Sequence, residues 1–183
     1  MTRLDIDALI AELDVFHTLF RFEQLPAYAV DDDGDDYHRW AAGAPEPTWP
    51  RKQPWLDVLH ADRAAGRDRR RVRRFTADLT DYERYACDWG YAHNAPAGEN
   101  IRVLRPGEHR IPNLPPEDFW VVDDHTAIVM NYDDAGGFLD ATRVPDPSPY
   151  IAARDRAWEA AEPFEPWWAQ HPELHTRREI LSA

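Results

Sequence analysis

The sequence predicts an α+β fold: a mainly antiparallel sheet with a β-meander in its C-terminal half, packed against several helices. Three observations carry this. From Pro116 to Val144, β-rich runs alternate with turn residues: Phe119 to Val122, Asp123-Asp124, Thr126 to Tyr132, Asp133 to Gly137, then Phe138 to Val144. Helical signatures stand before, between and after the strands, a pattern that suits helices against a sheet better than a doubly wound βαβ fold. No Gly-rich phosphate loop is present, and 8 glycines leave little material for one.

A chain of 183 residues suits a single domain over 1–183, with a polar tail from about 172. Ile6, Leu9, Ile10 and Leu13 recur at helical spacing, so Asp5 to Asp14 is read as an amphipathic helix. Val15 to Glu23 is phenylalanine-rich and loosely alternating, a strand continued weakly through Tyr28 and Val30. Asp31 to Asp36 imitates a calcium loop. With Gly34 in the sixth place, however, Ala29 and Trp40 take the first and twelfth, where acids belong. The stretch is read as an acidic turn before a short helix from Tyr37 to Ala42.

Ala44 to Pro54 is a proline-rich connector, and Pro54 opens a helix to Ala65, with Trp55, Leu56, Val58 and Leu59 as its buried side and Gly66 as its stop. Arg67 to Thr76 is a strand on which Arg69, Arg71 and Arg73 face one way and Arg70, Val72 and Arg74 the other. Thr80 and Glu83 have capping-box spacing, and Tyr82, Tyr85, Ala86 and Trp89 give that helix an aromatic face. His93 to Asn100 reads as a loop, Ile101 to Leu104 as a short strand, and Pro106 to Pro116 as an irregular approach to the meander. Ser148 and Pro149 start a helix that runs to about Glu162, where Pro163 and Pro166 break it.

The net charge of −13 argues against broad contact with nucleic acid. It is unevenly spread. Residues 1–40 hold ten acidic and three basic groups, and residues 51–74 hold nine basic and three acidic. No run approaches a membrane span, and the acidic start does not resemble a secretory signal. A lone Cys87 precludes a disulfide within the chain, and the cytoplasm is the expected compartment.

PWL at 54–56, RVR at 71–73, DYERY at 81–85, GENI at 98–101, DFW at 118–120, NYDDAGGF at 131–138 and ARDRAW at 153–158 fall in the same order as in one family. The chain thus resembles, over nearly its whole length, a family of actinobacterial proteins of unknown function. Members are often encoded near helix-turn-helix regulators, which implies a regulatory or signalling role and a regulator or other protein as partner. The resemblance brings no catalytic residues with it.

No motif for a metal or cofactor stands out. None of the eight histidines forms HExxH, and Pro172 separates His171 from His175. Cys87, beside an aromatic face, reads as a buried apolar residue. Ser148 and Ser182 are the only serines, and neither lies in a nucleophile elbow. Asp118, Asp123, Asp124, Asp133 and Asp134 offer carboxylate pairs, although aspartate at strand ends ordinarily stabilises turns. Arg69, Arg71 and Arg73 carry the main functional expectation. They form either a charge-protected edge strand or a face that binds a phosphate, a carboxylate or an acidic partner.

Two functions follow. The first is a cytoplasmic regulatory or interaction module, with Arg69, Arg71 and Arg73 at the centre of its contact face and Tyr82, Arg84 and Trp120 around it. The alternative is a small-molecule binder or enzyme whose arginines clamp an anionic ligand, with Asp118, Tyr132 and Asp133 as polar groups. Arg84, with Asp81 three residues before it, is placed beside the same face. Binding of duplex DNA is disfavoured by the surrounding acid.

Overall fold

The computed structural model describes residues 1–29 and 35–175. Its framework is one sheet of eight strands: β1 (Thr2–Leu4), β2 (Thr18–Glu23), β3 (Asp68–Arg74), β4 (Glu99–Leu104), β5 (Phe119–Val122), β6 (Thr126–Tyr132), β7 (Phe138–Arg143) and β8 (Glu162–Pro163). Their order across the sheet is β1-β7-β6-β5-β2-β3-β4-β8. The meander β5–β6–β7 is antiparallel, as its turns require. Asp123 and Asp124 both adopt positive φ (46° and 57°), the left-handed conformation that aspartate tolerates in tight turns.

The sheet is mostly antiparallel, but β2, β3 and β4 run parallel to one another at its centre. Parallel neighbours need crossover segments. The first crossover contains α2 (Asp36–Ala41) and α3 (Trp49–Ala64). The second is α4 (Asp81–Tyr85), a π-helical segment (Ala86–Tyr91) and α5 (Ala92–Ala97). The arginine strand β3 is therefore central and not an edge, which overturns the charge-protected-edge reading.

Strand alternation sorts the sheet into two unlike faces. Phe20, Phe22, Val72, Leu104, Phe119 and Val121 form an apolar face that packs on Ala153, Ala157 and Ala161, in and just after α6 (Ser148–Ala160). The other face carries Ile128 and Met130 beneath α1 (Ile6–Leu13). It also carries Ile101 and Val103 against Trp167 and Trp168 of α7 (Phe164–Gln170). Between these two apolar patches lie Arg21, Glu23, Arg71 and Glu99, under α3 and the α4–α5 segment.

Several boundaries differ from expectation. α3 starts at Trp49, with Pro50 in its first turn and Pro54 inside it, and Trp55 and Val58 are exposed while Leu56 and Leu59 are buried. Pro54 lies close enough to the start that its missing N–H forgoes only the bond to the Pro50 carbonyl. His93 to Ala97 is helix and not loop: the chain passes Pro96 and stops at Gly98, whose φ of +129° suits glycine. After α6, Pro163 and Pro166 redirect the chain into β8 and α7, and α8 (Pro172–His175) follows. Tyr28 lies outside any strand, while Ala29 makes an isolated bridge to Gly137. Val30, most of the acidic turn (31–34) and the end of the tail (176–183) lie outside the described residues. Among the described residues, no helix is long and apolar enough to cross a membrane.

Candidate functional site

Charged side chains in the middle of a sheet survive only when paired, because burial without a partner costs several kcal/mol per charge. Here they are paired across strands. Arg71 Nη1 donates to Glu23 Oε2 at 2.5 Å on β2, and its Nε and Nη2 donate to Glu99 Oε1 at 2.7 and 2.6 Å on β4. Arg21 Nη2 reaches the other oxygen of Glu23 at 2.7 Å, and the Arg21 guanidinium lies 4.8 Å over the Trp120 ring. Tyr91 donates to Glu23 at 3.3 Å, and Asn94 Nδ2 donates to Glu99 Oε2 at 2.9 Å. Burial alone would raise the Glu23 carboxyl, but Arg21, Arg71 and Arg73 outweigh it and hold the group down at about 2. Glu23 is a permanent carboxylate at neutral pH.

Above this floor opens a cleft of about 780 Å³. Its walls are aromatic: Trp55 from α3, Tyr82 and Tyr85 from α4, Trp89 from the π-helical segment, and Tyr28 from the loop after β2. The rings support one another, with Tyr85 centred 6.0 Å from Tyr82 and 6.1 Å from Trp89, and Tyr28 centred 6.0 Å from Tyr82. Arg51 and Lys52 stand among the lining residues on the α3 side, and Lys52 donates to Asn94 Oδ1 at 2.8 Å. The π-helical segment brings Ala86, Trp89, Gly90 and Tyr91 to the lining; such wide turns are costly and recur at functional sites.

The residues singled out from sequence separate into three groups. Arg71 and Tyr82 line the cleft, and Arg69 and Trp120 line a smaller adjoining niche. Arg69 bonds Asp62 through Nε and lies between the rings of Phe16 and Trp55, at 4.7 and 5.2 Å. Arg73, Asp118 and Tyr132 belong to a packed layer beside the floor. Arg73 is fully buried, bonded to the Leu25 carbonyl, to Tyr28 Oη at 3.2 Å and to Glu83 at 3.4 Å. Tyr28 donates to Asp118, which also accepts from the Gln24 N–H at 3.0 Å; burial raises the Asp118 carboxyl. Burial likewise pushes the Tyr132 phenol up to about 12.

Asp81, Arg84 and Asp133 lie elsewhere. Asp81 is exposed in the first turn of α4, and Arg84 turns away to donate to the Leu174 carbonyl at 3.1 Å. Asp133 caps its own turn, accepting from the Ala135 and Gly137 N–H groups at 2.9 and 2.8 Å. The three β3 arginines thus share a face but do not form an open clamp. Acids occupy all three: Asp62 for Arg69, Glu23 and Glu99 for Arg71, and Glu83 for Arg73.

Arg21, Glu23, Glu99 and Trp89 were missed as site residues. The legible signal was the pair of charges at alternate positions in LFRFE, where a buried strand should be apolar throughout. Among the described residues, no group of histidine, cysteine, aspartate and glutamate is arranged to hold a metal. The family model for a domain of unknown function, DUF6879, matches residues 5–169. No curated protein and no solved structure matches the chain.

Proposed function

Since the chain belongs to the DUF6879 family, whose function is open, we propose on physical grounds that it is a small-molecule-binding protein, with the aromatic-walled cleft as its binding site. One observation carries this reading: a cleft of about 780 Å³ combines five aromatic walls with a fixed polar floor. Ligand sites commonly have that size and that mixture of apolar wall and few oriented polar groups. The floor is locked by Arg71, Glu23 and Glu99, so its donors and acceptors are already placed before a ligand arrives.

The regulatory and interaction role implied by the resemblance has no comparable support, because the arginine face meant to carry it lies inside the protein. A cytoplasmic regulatory module that senses a metabolite in the cleft, and acts on a regulator, joins the two readings.

The full chain, incubated with a fractionated small-molecule extract and examined by native mass spectrometry, is expected to retain a ligand. Val58→Trp, at an exposed cleft-lining position, is expected to lose it while remaining folded. Retention by the filled variant, or no retained molecule with the unaltered chain, would overturn the proposal.

A further inference from the structure

The arginines of the cleft floor are engaged within the protein: Arg21 and Arg71 share Glu23, and Arg71 also holds Glu99. Asp36, the other carboxylate of the lining, is engaged too, accepting from the Thr48 N–H and Oγ1 and from Arg39 Nη1 at 2.7 Å. The α3 wall differs. Arg51, Trp55 and Val58 stand at i, i+4 and i+7, one stripe of that helix, and all three line the cleft. Lys52 borders the stripe. Its ammonium lies between two further lining residues, donating to Asn94 Oδ1 at 2.8 Å and to the Gly90 carbonyl at 3.4 Å. Arg51 is exposed and, among the described residues, makes no ion pair. Both cations stand in or just after the first turn of α3, which holds no acidic residue. The positive end of the helix dipole repels them there. That placement works against the helix and concentrates positive potential at one corner of the cleft.

We propose that the cleft takes an aromatic acid, its oxyanion received by Arg51 and Lys52 at the α3 corner and its ring laid against the aromatic walls. The inference rests on the cleft being a ligand site. Anion recognition thereby passes from the β3 arginines, which acids within the protein occupy, to the start of α3. Trp55 follows Arg51 by one helical turn, about 5.4 Å along the axis, so a ring attached to an anion at Arg51 meets the indole. Aromatic walls alone would also suit a cation. Charge decides between the two: the lining carries Arg21, Arg51, Lys52 and Arg71 against Glu23 and Asp36, and both carboxylates are already bonded. Carboxylate and phosphate share this recognition, because a guanidinium forks to either.

The test compares four probes on the full chain by calorimetry: 2-naphthoate, 2-naphthyl phosphate, the neutral 2-naphthylmethanol and the cationic 2-naphthylmethylamine. One or both anions are expected to bind more tightly than the alcohol, and the amine most weakly; the stronger anion tells carboxylate from phosphate. Arg51→Glu, a change at an exposed position, is expected to weaken the anions by about three- to tenfold, to favour the amine and to leave the alcohol unchanged. A loss shared by the alcohol would assign Arg51 to the shape of the cleft and overturn its role in charge recognition. Equal affinity for all four probes, or tightest binding of the amine, would overturn the acid class and leave the cleft standing. The molecule retained from the extract, identified after release, gives an independent reading: an acid is expected, and a cation or an uncharged compound would overturn this inference alone. Failure of every probe with an extract ligand still retained would likewise overturn the aromatic-acid class alone, whereas failure of both experiments would remove the binding cleft as well.

Discussion

Arg71 and Glu23 meet at 2.5 Å across the parallel β2–β3 pair, and that contact fixes the cleft floor between two helical walls. Arg71 also holds Glu99 on β4, so one guanidinium ties three strands together. Arg71→Met should therefore leave Glu99 with only the neutral Asn94 donor and Glu23 with Arg21 as its remaining ion-pair partner, and cost about 3–5 kcal/mol, read as a lowered urea midpoint. Arg71→Met combined with Glu99→Gln should recover part of the loss. A single variant as stable as the parent would show the carboxylates to be better solvated than their burial indicates.

The same ionic set makes a prediction about acid. Glu23 has a folded pKa of about 2 against an ordinary 4.5. A depressed carboxylate stabilises the fold at pH values above its unfolded value, and that stabilisation is lost as pH falls toward the folded one. The window thus runs from about 4.5 down to about 2. The shift corresponds to about 3 kcal/mol in order of magnitude. Glu23→Gln should flatten the stability profile across that window, as measured by denaturant titration at each pH. Asp118 opposes the trend, because its raised carboxyl protonates more readily in the folded protein than in the unfolded chain.

Glu83 does two jobs at the start of α4. Its side chain accepts from the Thr80 N–H at 2.9 Å, completing a capping box with Thr80 Oγ1, and it also takes Thr76 and Arg73 while fully buried. Thr80→Ala removes the cap and the Oγ1 bond to the Pro26 carbonyl, and should cost about 1–2 kcal/mol. Glu83→Ala strands a buried arginine as well and should cost about 3 kcal/mol or more. Thermal denaturation of the two variants separates cap from ion pair, and equal losses would show that the Arg73 contact contributes nothing.

The meander and the capping box were readable because each is encoded locally, in turn residues or in a four-residue spacing. What sequence could not supply was order in the sheet. Nothing within RDRRRVRR states whether its neighbours are solvent or strands, since the acids that pair with Arg69, Arg71 and Arg73 (Glu23, Asp62, Glu83 and Glu99) are distant in sequence or on other elements. Local punctuation misled at Pro54 and Pro96, where packing of Leu56, Leu59 and Ala97 against one another sustains helix through proline. The cleft, built from α3, α4, the π-helical segment and β2, is a product of that long-range pairing. Single residues such as Arg71, Tyr82 and Trp120 were legible as candidates, but their arrangement was not.

Cys87 offers a probe of the π-helical segment that lines the cleft. It is fully buried among Phe75, Leu79, Tyr91 and Trp167, and burial pushes its thiol well above the ordinary value. The thiolate attacks the reagent and must be accessible to it, so native protein should react about a hundredfold or more slowly relative to the chain in urea. The native rate then reports opening of Ala86–Tyr91. A ligand seated against Trp89 and Gly90 should slow it further, because binding to the closed form lowers the open population. Rapid native labelling, followed by an Ellman-type absorbance assay, would mean that the segment opens without global unfolding and that the cleft wall is not fixed in advance of binding.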